Sequence, residues 1–468
     1  MTHNTRKNRK TIFDLAMLQV IFTLAWPTML EELMQTAVQY IDTAMVGALG
    51  TDATAAVGAT GTVNWLVMGG LSAIGIGFLS PIAQAFGAGE QQKARKIAAQ
   101  AVSVTAIVGL VLTALMLGIS GVIPAWMQVE QRLRALTGTY FMIVYIPILF
   151  RAATIIFGTI LRAVGDTRTP MRIGITVNVI NIILNLLLIY PARTLTIAAV
   201  QIPIWGAGLG VVGAASASAC SYFAGGILMT FALWHHREIS PGGLSLVPDW
   251  KVLRPVVRIA IPNLLQRVGT SMGYVVFAAM INALGGISTA AHTIANTVES
   301  AFYIPGWGMQ AAAATLSGNA YGARDEQRLK SLGSTIIPME VVLMCITGGL
   351  LFVLAEPLVR IFSQDAQVIA LGTTVLRMVA VSEPFYGVPI VVEGLMLGVG
   401  KTTTPLIYNL LGMWCVRILG TFLCTKLLGM GLVSAWACMI GHNLLLFFLF
   451  GGHYLTGRWY PPLNLKKG

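Results

Sequence analysis

The stretch Thr28–Gly47, TMLEELMQTAVQYIDTAMVG, decides the fold of this chain. It lies inside a long apolar run, yet it holds three carboxylates and two glutamines. Its polar side chains recur every three or four positions, so an α-helix places them on one face; they are Thr28, Glu31, Gln35, Gln39 and Asp42. Such a stripe is costly in a membrane helix unless it faces a bundle interior or a wet cavity. Interhelical hydrogen bonding is the simpler alternative, but it needs amides and hydroxyls rather than carboxylates.

The composition predicts an all-α polytopic membrane protein. Of the 468 residues 56% are hydrophobic and 10% charged, against about 25% charged in soluble proteins. Long apolar runs predict twelve transmembrane helices. Their approximate ranges are 15–46, 54–86, 94–122, 135–162, 169–190, 208–234, 254–284, 289–320, 330–355, 368–397, 403–427 and 430–454.

The basic residues predict the orientation of the chain. Of the 30 lysines and arginines, 21 fall in segments on the side of the N-terminus, 5 on the opposite side and 4 within spans. This asymmetry places both termini in the cytoplasm and predicts a multi-pass protein of the cytoplasmic (inner) membrane. It also explains the net charge of +12 without a nucleic-acid partner.

The chain repeats itself at an offset of 235 residues. Pro27 matches Pro262, and the turn Gly165–Pro170 matches Gly400–Pro405. An extra outer loop at 191–203 then reduces the offset to 221, as Gly210 meets Gly431. We therefore predict two six-helix bundles related by a parallel internal repeat. The domains are an N-terminal bundle at 1–234, a cytoplasmic linker at 235–253 and a C-terminal bundle at 254–468.

A candidate cation site combines the outer end of the stripe with two later spans. Asp42 offers a carboxylate, the fifth span offers the amides of Asn181 and Asn185, and the sixth span offers the hydroxyl of Ser218. Hard oxygen ligands of this kind suit a monovalent cation such as Na⁺. A desolvated aspartate could equally bind a proton, so the sequence leaves Na⁺ and H⁺ open.

Other intramembrane polar and aromatic residues are candidates for a substrate or proton pathway. They are Glu31, Gln35, Gln39, Asn178, Tyr274, Glu299, Tyr386 and Glu393. For Glu31 the alternatives are a proton relay, a cargo contact or an ion-pair partner for a second-bundle arginine. Pro27 is expected to kink the first helix, because a proline in a helix removes one backbone hydrogen bond.

These motifs resemble the multidrug and toxic compound extrusion (MATE) family over nearly the whole chain. The resemblance rests on Trp26–Thr28 with Tyr40–Gly47, on the turn Gly165–Pro170 and on Asn181–Asn185. It implies a cation-coupled antiporter that exports amphiphilic, mostly cationic drugs or metabolites by alternating access. It also implies that Asp42 is the coupling carboxylate, with Asn181, Asn185 and Ser218 in the cation site and Pro27 as the gating kink.

The chain departs from some members of that family. Some carry an acid where Asn185 stands, and others carry acids at positions that fall on Thr270 and Tyr386. A flippase for a lipid-linked precursor on the same scaffold is the alternative function, but it would need a basic cavity for phosphate. An enzyme is not expected, because the chain holds no catalytic motif. We expect a monomer in membrane lipid, small organic cations as substrates, and no cofactor apart from Na⁺ or H⁺ as coupling ion.

Overall fold

The computed structural model describes residues 15–197 and 200–463, most of which form long α-helices. The first bundle consists of α1 (Leu15–Gly47), α2 (Thr51–Gly87), α3 (Gln91–Ile119), α4 (Gln131–Tyr145 and Ile148–Ala163), α5 (Arg168–Leu188) and α6 (Gly210–His235). The second bundle consists of α7 (Trp250–Asn282), α8 (Gly286–Gly322), α9 (Glu326–Phe362), α10 (Ala366–Gly398), α11 (Thr403–Leu427) and α12 (Leu432–Leu455). The basic residues before residue 15 and after residue 463 lie outside the described residues.

Within the described residues, the helices confirm the predicted twelve-span fold. Nine of them are long and apolar enough to cross a membrane, and the bent pair of α4 makes a tenth. The other two long helices, α1 and α8, have 33 and 37 residues and hold the intramembrane carboxylates Glu31, Glu32 and Glu299. The candidate site residues in α1 and α8 are polar, and they lower the mean hydropathy of both helices.

Three helices depart from regular α-geometry. Helix α2 breaks after Gly58 and resumes at Gly61. Helix α4 bends by 48° at Pro147, which has no backbone N–H to continue the helix. Helix α11 contains two π-helical segments, Leu411–Ile418 and Leu423–Leu427. By contrast, α1 is helical without a break through the buried Pro27.

The segment between α5 and α6 is an antiparallel hairpin of β1 (Pro191–Ile197) and β2 (Val200–Ala207). The extra residues of the first repeat predict an outer loop here, within an all-α fold. The run of threonine, leucine and isoleucine in β1 favours a strand, which explains the difference. We call this side of the protein distal, and the side on which α1 begins proximal.

The connection between the bundles is fastened to α3. Residues 236–249 join the end of α6 to the start of α7, within the predicted linker 235–253. The guanidinium of Arg95 donates to the backbone oxygens of Ser240 at 2.8 Å and Gly242 at 3.0 Å. The amide of Gln100 donates to the backbone oxygen of Val247 at 2.9 Å. These hydrogen bonds therefore hold the linker against the proximal end of the first bundle.

The two bundles meet closely on the proximal side, in a nearly symmetric way. Ser80 of α2 donates to the backbone oxygen of Gly398 at 2.8 Å. Its repeat counterpart, Thr315 of α8, donates to the backbone oxygen of Arg162 at 3.0 Å. These hydrogen bonds join α2 to α10 and α8 to α4. Each bundle therefore donates one hydrogen bond to the other, from equivalent positions of the repeat.

The proximal ends of α2 and α8 approach each other more closely than any side chain would permit. A Cβ atom added to Gly87 would lie 1.9 Å from the backbone oxygen of Asn319. A Cβ atom added to Gly322 would lie 1.9 Å from the backbone oxygen of Gln84. Gly87 and Gly322 are counterparts at the repeat offset, and both seal the proximal junction between the bundles.

Candidate cation site

Asp42 and Asn185 make the central contact of the site. The amide nitrogen of Asn185 donates to Oδ1 of Asp42 at 2.5 Å, which joins α1 to α5. The same nitrogen lies 3.1 Å from Oδ1 of Asn181, one turn earlier on α5. Asn185 is 1% exposed and its own oxygen has no hydrogen-bond partner among the described residues. The predicted carboxylate and both predicted amides therefore converge inside the first bundle.

Helix α6 completes the site with two hydroxyls. The amide nitrogen of Asn181 lies 3.4 Å from the Oγ atoms of both Ser218 and Ser221. All four predicted residues thus belong to one hydrogen-bonded chain that crosses α1, α5 and α6. Ser221 was missing from the predicted site. Its position three residues after Ser218, on the same helix face, was the available signal.

The Asn181 amide can face Asp42 with either its oxygen or its nitrogen. With the oxygen toward Asp42, it lies 2.9 and 3.2 Å from Oδ1 and Oδ2, and the nitrogen donates to the serines. In the reversed orientation the nitrogen donates to both carboxylate oxygens at these distances. An ionised carboxylate only accepts hydrogen bonds, so the reversed orientation suits ionised Asp42 and the first suits a protonated or cation-bound Asp42.

Arg151 provides a fixed positive charge elsewhere in the first bundle. Its Nη1 donates to Oδ1 of Asn64 at 2.7 Å, and its guanidinium lies 4.2 Å from the centre of the Tyr222 ring. The described structure shows no ion pair between Arg151 and Asp42. The carboxylate of the site therefore depends on amides for its contacts.

The inner end of the α1 stripe forms a separate cluster. Oε2 of Glu31 lies 3.1 Å from Nη1 of Arg162, and both side chains are 17% exposed. Arg162 also donates to Oγ1 of Thr159 at 3.2 Å. Of the three alternatives for Glu31, the ion pair with a second-bundle arginine is corrected, because Arg162 belongs to α4 of the first bundle.

Between the two ends of the stripe, Gln35 and Gln39 are exposed. Asn178 is partly buried on α5, one turn before Asn181. No side-chain hydrogen bond in the described structure links any of these three residues to Asp42.

The second-bundle candidates fall into two groups that do not reach the Asp42 site. Oε1 of Glu393 accepts from Gln266 at 2.8 Å, and Oε2 accepts from Asn409 at 3.1 Å. Glu393 is thus held within α7, α10 and α11.

The other group is partly aromatic. The ring of Tyr386 lies edge-on to Tyr303, with 6.0 Å between centres. Glu299 is 6% exposed and Tyr274 is 41% exposed. The ring of Tyr274 faces the guanidinium of Arg417, with 4.8 Å between the ring centre and the guanidinium carbon.

The described residues hold no group of three histidine, cysteine, aspartate or glutamate side chains that could bind a metal ion. The site around Asp42 has one carboxylate, two amides and two hydroxyls. This donor set suits a proton or a monovalent ion rather than a transition metal.

The chain is similar to known proteins over nearly its whole length. The family model described as MatE matches residues 27–187 and 262–423, once in each bundle at the offset of the repeat. A probable multidrug resistance protein NorM of Thermotoga maritima is 27% identical over 439 residues, covering 94% of this chain and 92% of that protein. A probable multidrug resistance protein YpnP of Bacillus subtilis is 24% identical, covering 94% of this chain and 95% of that protein.

A solved structure shares the fold. It is described as the outward-facing conformation of a multidrug resistance MATE family transporter of the MOP superfamily. Its TM-score is 0.85 at 20% identity, and the match covers 95% of this chain and 97% of that one.

Proposed function

Because this chain belongs to the MatE family of membrane transporters, we propose that it exports small molecules in exchange for a cation bound at Asp42. Members of the family are transporters and not enzymes. The relatives carry multidrug resistance names, and from these we propose drugs or metabolites as cargo. The coupling ion is Na⁺ or H⁺.

The observation that carries this proposal is the hydrogen-bonded cluster of Asp42, Asn185, Asn181 and Ser218. When the Asn181 amide turns its oxygen toward Asp42, that oxygen lies 2.9 Å from Oδ1, a normal distance for an O–H···O hydrogen bond. A proton on Asp42 would turn two facing acceptors into a donor and an acceptor. Asn181 could then keep its nitrogen toward the serines, and Asn185 could keep its contacts.

A monovalent cation would suit the same orientation of the amide. It would sit between the carboxylate and the amide oxygen and attract both. Loss of either ion favours the reversed amide, whose nitrogen donates to Asp42. Ion occupancy would thus change the hydrogen bonds between α1 and α5.

The two arginines in the interior of the first bundle favour cationic or neutral cargo over a lipid-linked phosphate. Arg162 is paired with Glu31, and Arg151 is held by Asn64 and Tyr222. These guanidinium groups are engaged within their bundle and do not form an open basic surface. A flippase for a lipid-linked precursor is accordingly the weaker candidate.

The contacts between the bundles support an alternating-access cycle. Gly87 and Gly322 seal the proximal junction, and Ser80 and Thr315 add hydrogen bonds across it. We propose that the proximal side is cytoplasmic, because basic residues are enriched there, and that the protein lies in the inner membrane. In this state the sealed cytoplasmic side would direct cargo outward.

Transport by the purified protein in proteoliposomes tests the proposal. A fluorescent organic cation serves as external cargo, and outward Na⁺ and H⁺ gradients, with the ion more concentrated inside the vesicles, are imposed separately. We expect one of the gradients to drive cargo accumulation, with no accumulation when both ions are equilibrated. Equal accumulation without any ion gradient would contradict ion-coupled export.

A further inference from the structure

The second bundle contains a counterpart of the Asp42 site in which an aromatic residue replaces the aspartate. At the repeat offset of 235 residues, Gln39 and Asp42 of α1 match Tyr274 and Phe277 of α7. At the later offset of 221 residues, Ser218 of α6 matches Met439 of α12. The carboxylate and the hydroxyl of the first bundle are thus replaced by an aromatic ring and a thioether, and the neighbouring Gln39 by a second aromatic ring.

The guanidinium of Arg417 lies among these three counterparts. Its central carbon is 4.3 Å from the centre of the Phe277 ring and 4.8 Å from that of Tyr274. Its Nη2 lies 2.9 Å from the sulfur of Met439. Arg417 is 4% exposed, and its Nε has no hydrogen-bond partner among the described residues. Aromatic faces and a soft sulfur are therefore its main contacts, as expected for a cation held by π-systems.

The π-helix in α11 explains why an arginine reaches this position. By offset, Asn181 matches Val416, and Arg417 matches the apolar Ile182. Residues Leu411–Ile418 are π-helical, and each wider turn takes up an additional residue. Arg417 is thereby rotated inward, and it is buried whereas Val416 is only partly buried. Arg417, next to the counterpart of Asn181 in the chain, is thus the residue of this turn that points a polar group into the second bundle.

We propose that Arg417 is a built-in cation that permanently fills the second bundle's counterpart of the Asp42 cation site. The pocket formed by Tyr274, Phe277 and Met439 is a guanidinium site, and it takes up no exchangeable ion while Arg417 is present. Together with the proposed function, this predicts one exchangeable ion site per protein, at Asp42.

The inference is tested by emptying the pocket and offering a soluble cation. Arg417→Ala is purified, and its thermal unfolding is followed with millimolar guanidinium, methylguanidinium, Na⁺ or tetramethylammonium. We expect a lowered melting temperature that guanidinium and methylguanidinium raise by several degrees in a saturable way, with no rise from the other ions. Wild type and Arg377→Ala, which removes an exposed arginine of α10, should not respond.

A second comparison applies even if Arg417→Ala fails to fold. Arg417→Lys keeps the charge, whereas Arg417→Met keeps an apolar side chain of similar length. We expect the lysine variant to retain more thermal stability, and Phe277→Leu to reduce that advantage. A methionine variant as stable as the lysine variant, or an alanine variant that ignores guanidinium, would overturn the inference. Because these experiments measure thermal stability, their results do not depend on whether transport is coupled at Asp42.

Discussion

The carboxylate of Asp42 accepts a 2.5 Å hydrogen bond from Asn185, and this contact links the first and fifth helices of the first bundle. Hydrogen bonds to an ionised acceptor are about twice as strong as those between neutral groups. Any ion that binds Asp42 must therefore act on the packing of α1 against α5. This is how occupancy of a small site could be transmitted to a helix that also contacts the second bundle.

Replacement of Asn185 tests how charge sets the ion affinity of the site. Asn185→Asp places a second carboxylate beside Asp42, and two carboxylates in contact favour a bound cation. We expect apparent Na⁺ affinity, measured by ion-dependent thermal stabilisation, to increase by about tenfold or more. Asn178→Asp is the matched control, since it adds the same charge one turn away from the hydrogen-bonded chain. An equal increase in both variants would show that position is irrelevant.

The glycine contacts predict a defect in closing the proximal side. Gly87→Ala or Gly322→Ala forces the helix ends apart, at a cost of about 1–3 kcal/mol for overpacking. We expect the ratio of molecules with a closed proximal junction to molecules with an open one to fall roughly tenfold. A cysteine placed at the buried Ala83, in a background without native cysteines, should then react faster with a membrane-impermeant thiol reagent applied from the proximal side.

Gly349→Ala is the control for the glycine variants, because an added Cβ meets nothing within 4 Å there. It should leave both cysteine protection and transport unchanged. If Gly322→Ala also transported normally and kept the cysteine protected, the proximal junction would not be a gate.

The ion pair of Glu31 and Arg162 is predicted to be energetically coupled. In a double-mutant cycle with Glu31→Gln and Arg162→Gln, we expect a coupling free energy between about 0.5 and 3 kcal/mol in thermal unfolding. The reason is that both side chains are largely withdrawn from solvent, so removal of one leaves the other uncompensated. The exposed pair Glu356 and Arg360, 2.7 Å apart, is the control and should give less than about 1 kcal/mol. Similar values for the two pairs would contradict a special role for burial.

The architecture could be predicted from the sequence because it rests on long-range patterns. Apolar runs gave twelve spans, and the constant offset between Pro27 and Pro262 revealed the repeat that the family match also shows. The grouping of Asp42 with α5 and α6 followed from residue chemistry together with the family resemblance, and its role in ion coupling stays a prediction.

Other features depend on helix rotation and depth, which periodicity alone does not determine. The pairing of Glu31 with Arg162 joins residues 131 positions apart, which the periodicity of a single helix does not reveal. The π-helical turns of α11 lie where Gly412 leaves room for His442, a tertiary contact that the sequence pattern of α11 does not contain. Both the correct ion pair and the placement of Arg417 therefore required the structure.

Gradient-driven transport by Asp42→Asn is the most direct test of the account. The variant keeps the size of the side chain and one acceptor oxygen for Asn185 but removes the exchangeable charge, so it should fold with nearly normal thermal stability. In proteoliposomes we expect it to lose cargo accumulation under both Na⁺ and H⁺ gradients, while wild type accumulates cargo with one of them. Full gradient-driven accumulation by Asp42→Asn would contradict the assignment of Asp42 as the coupling carboxylate.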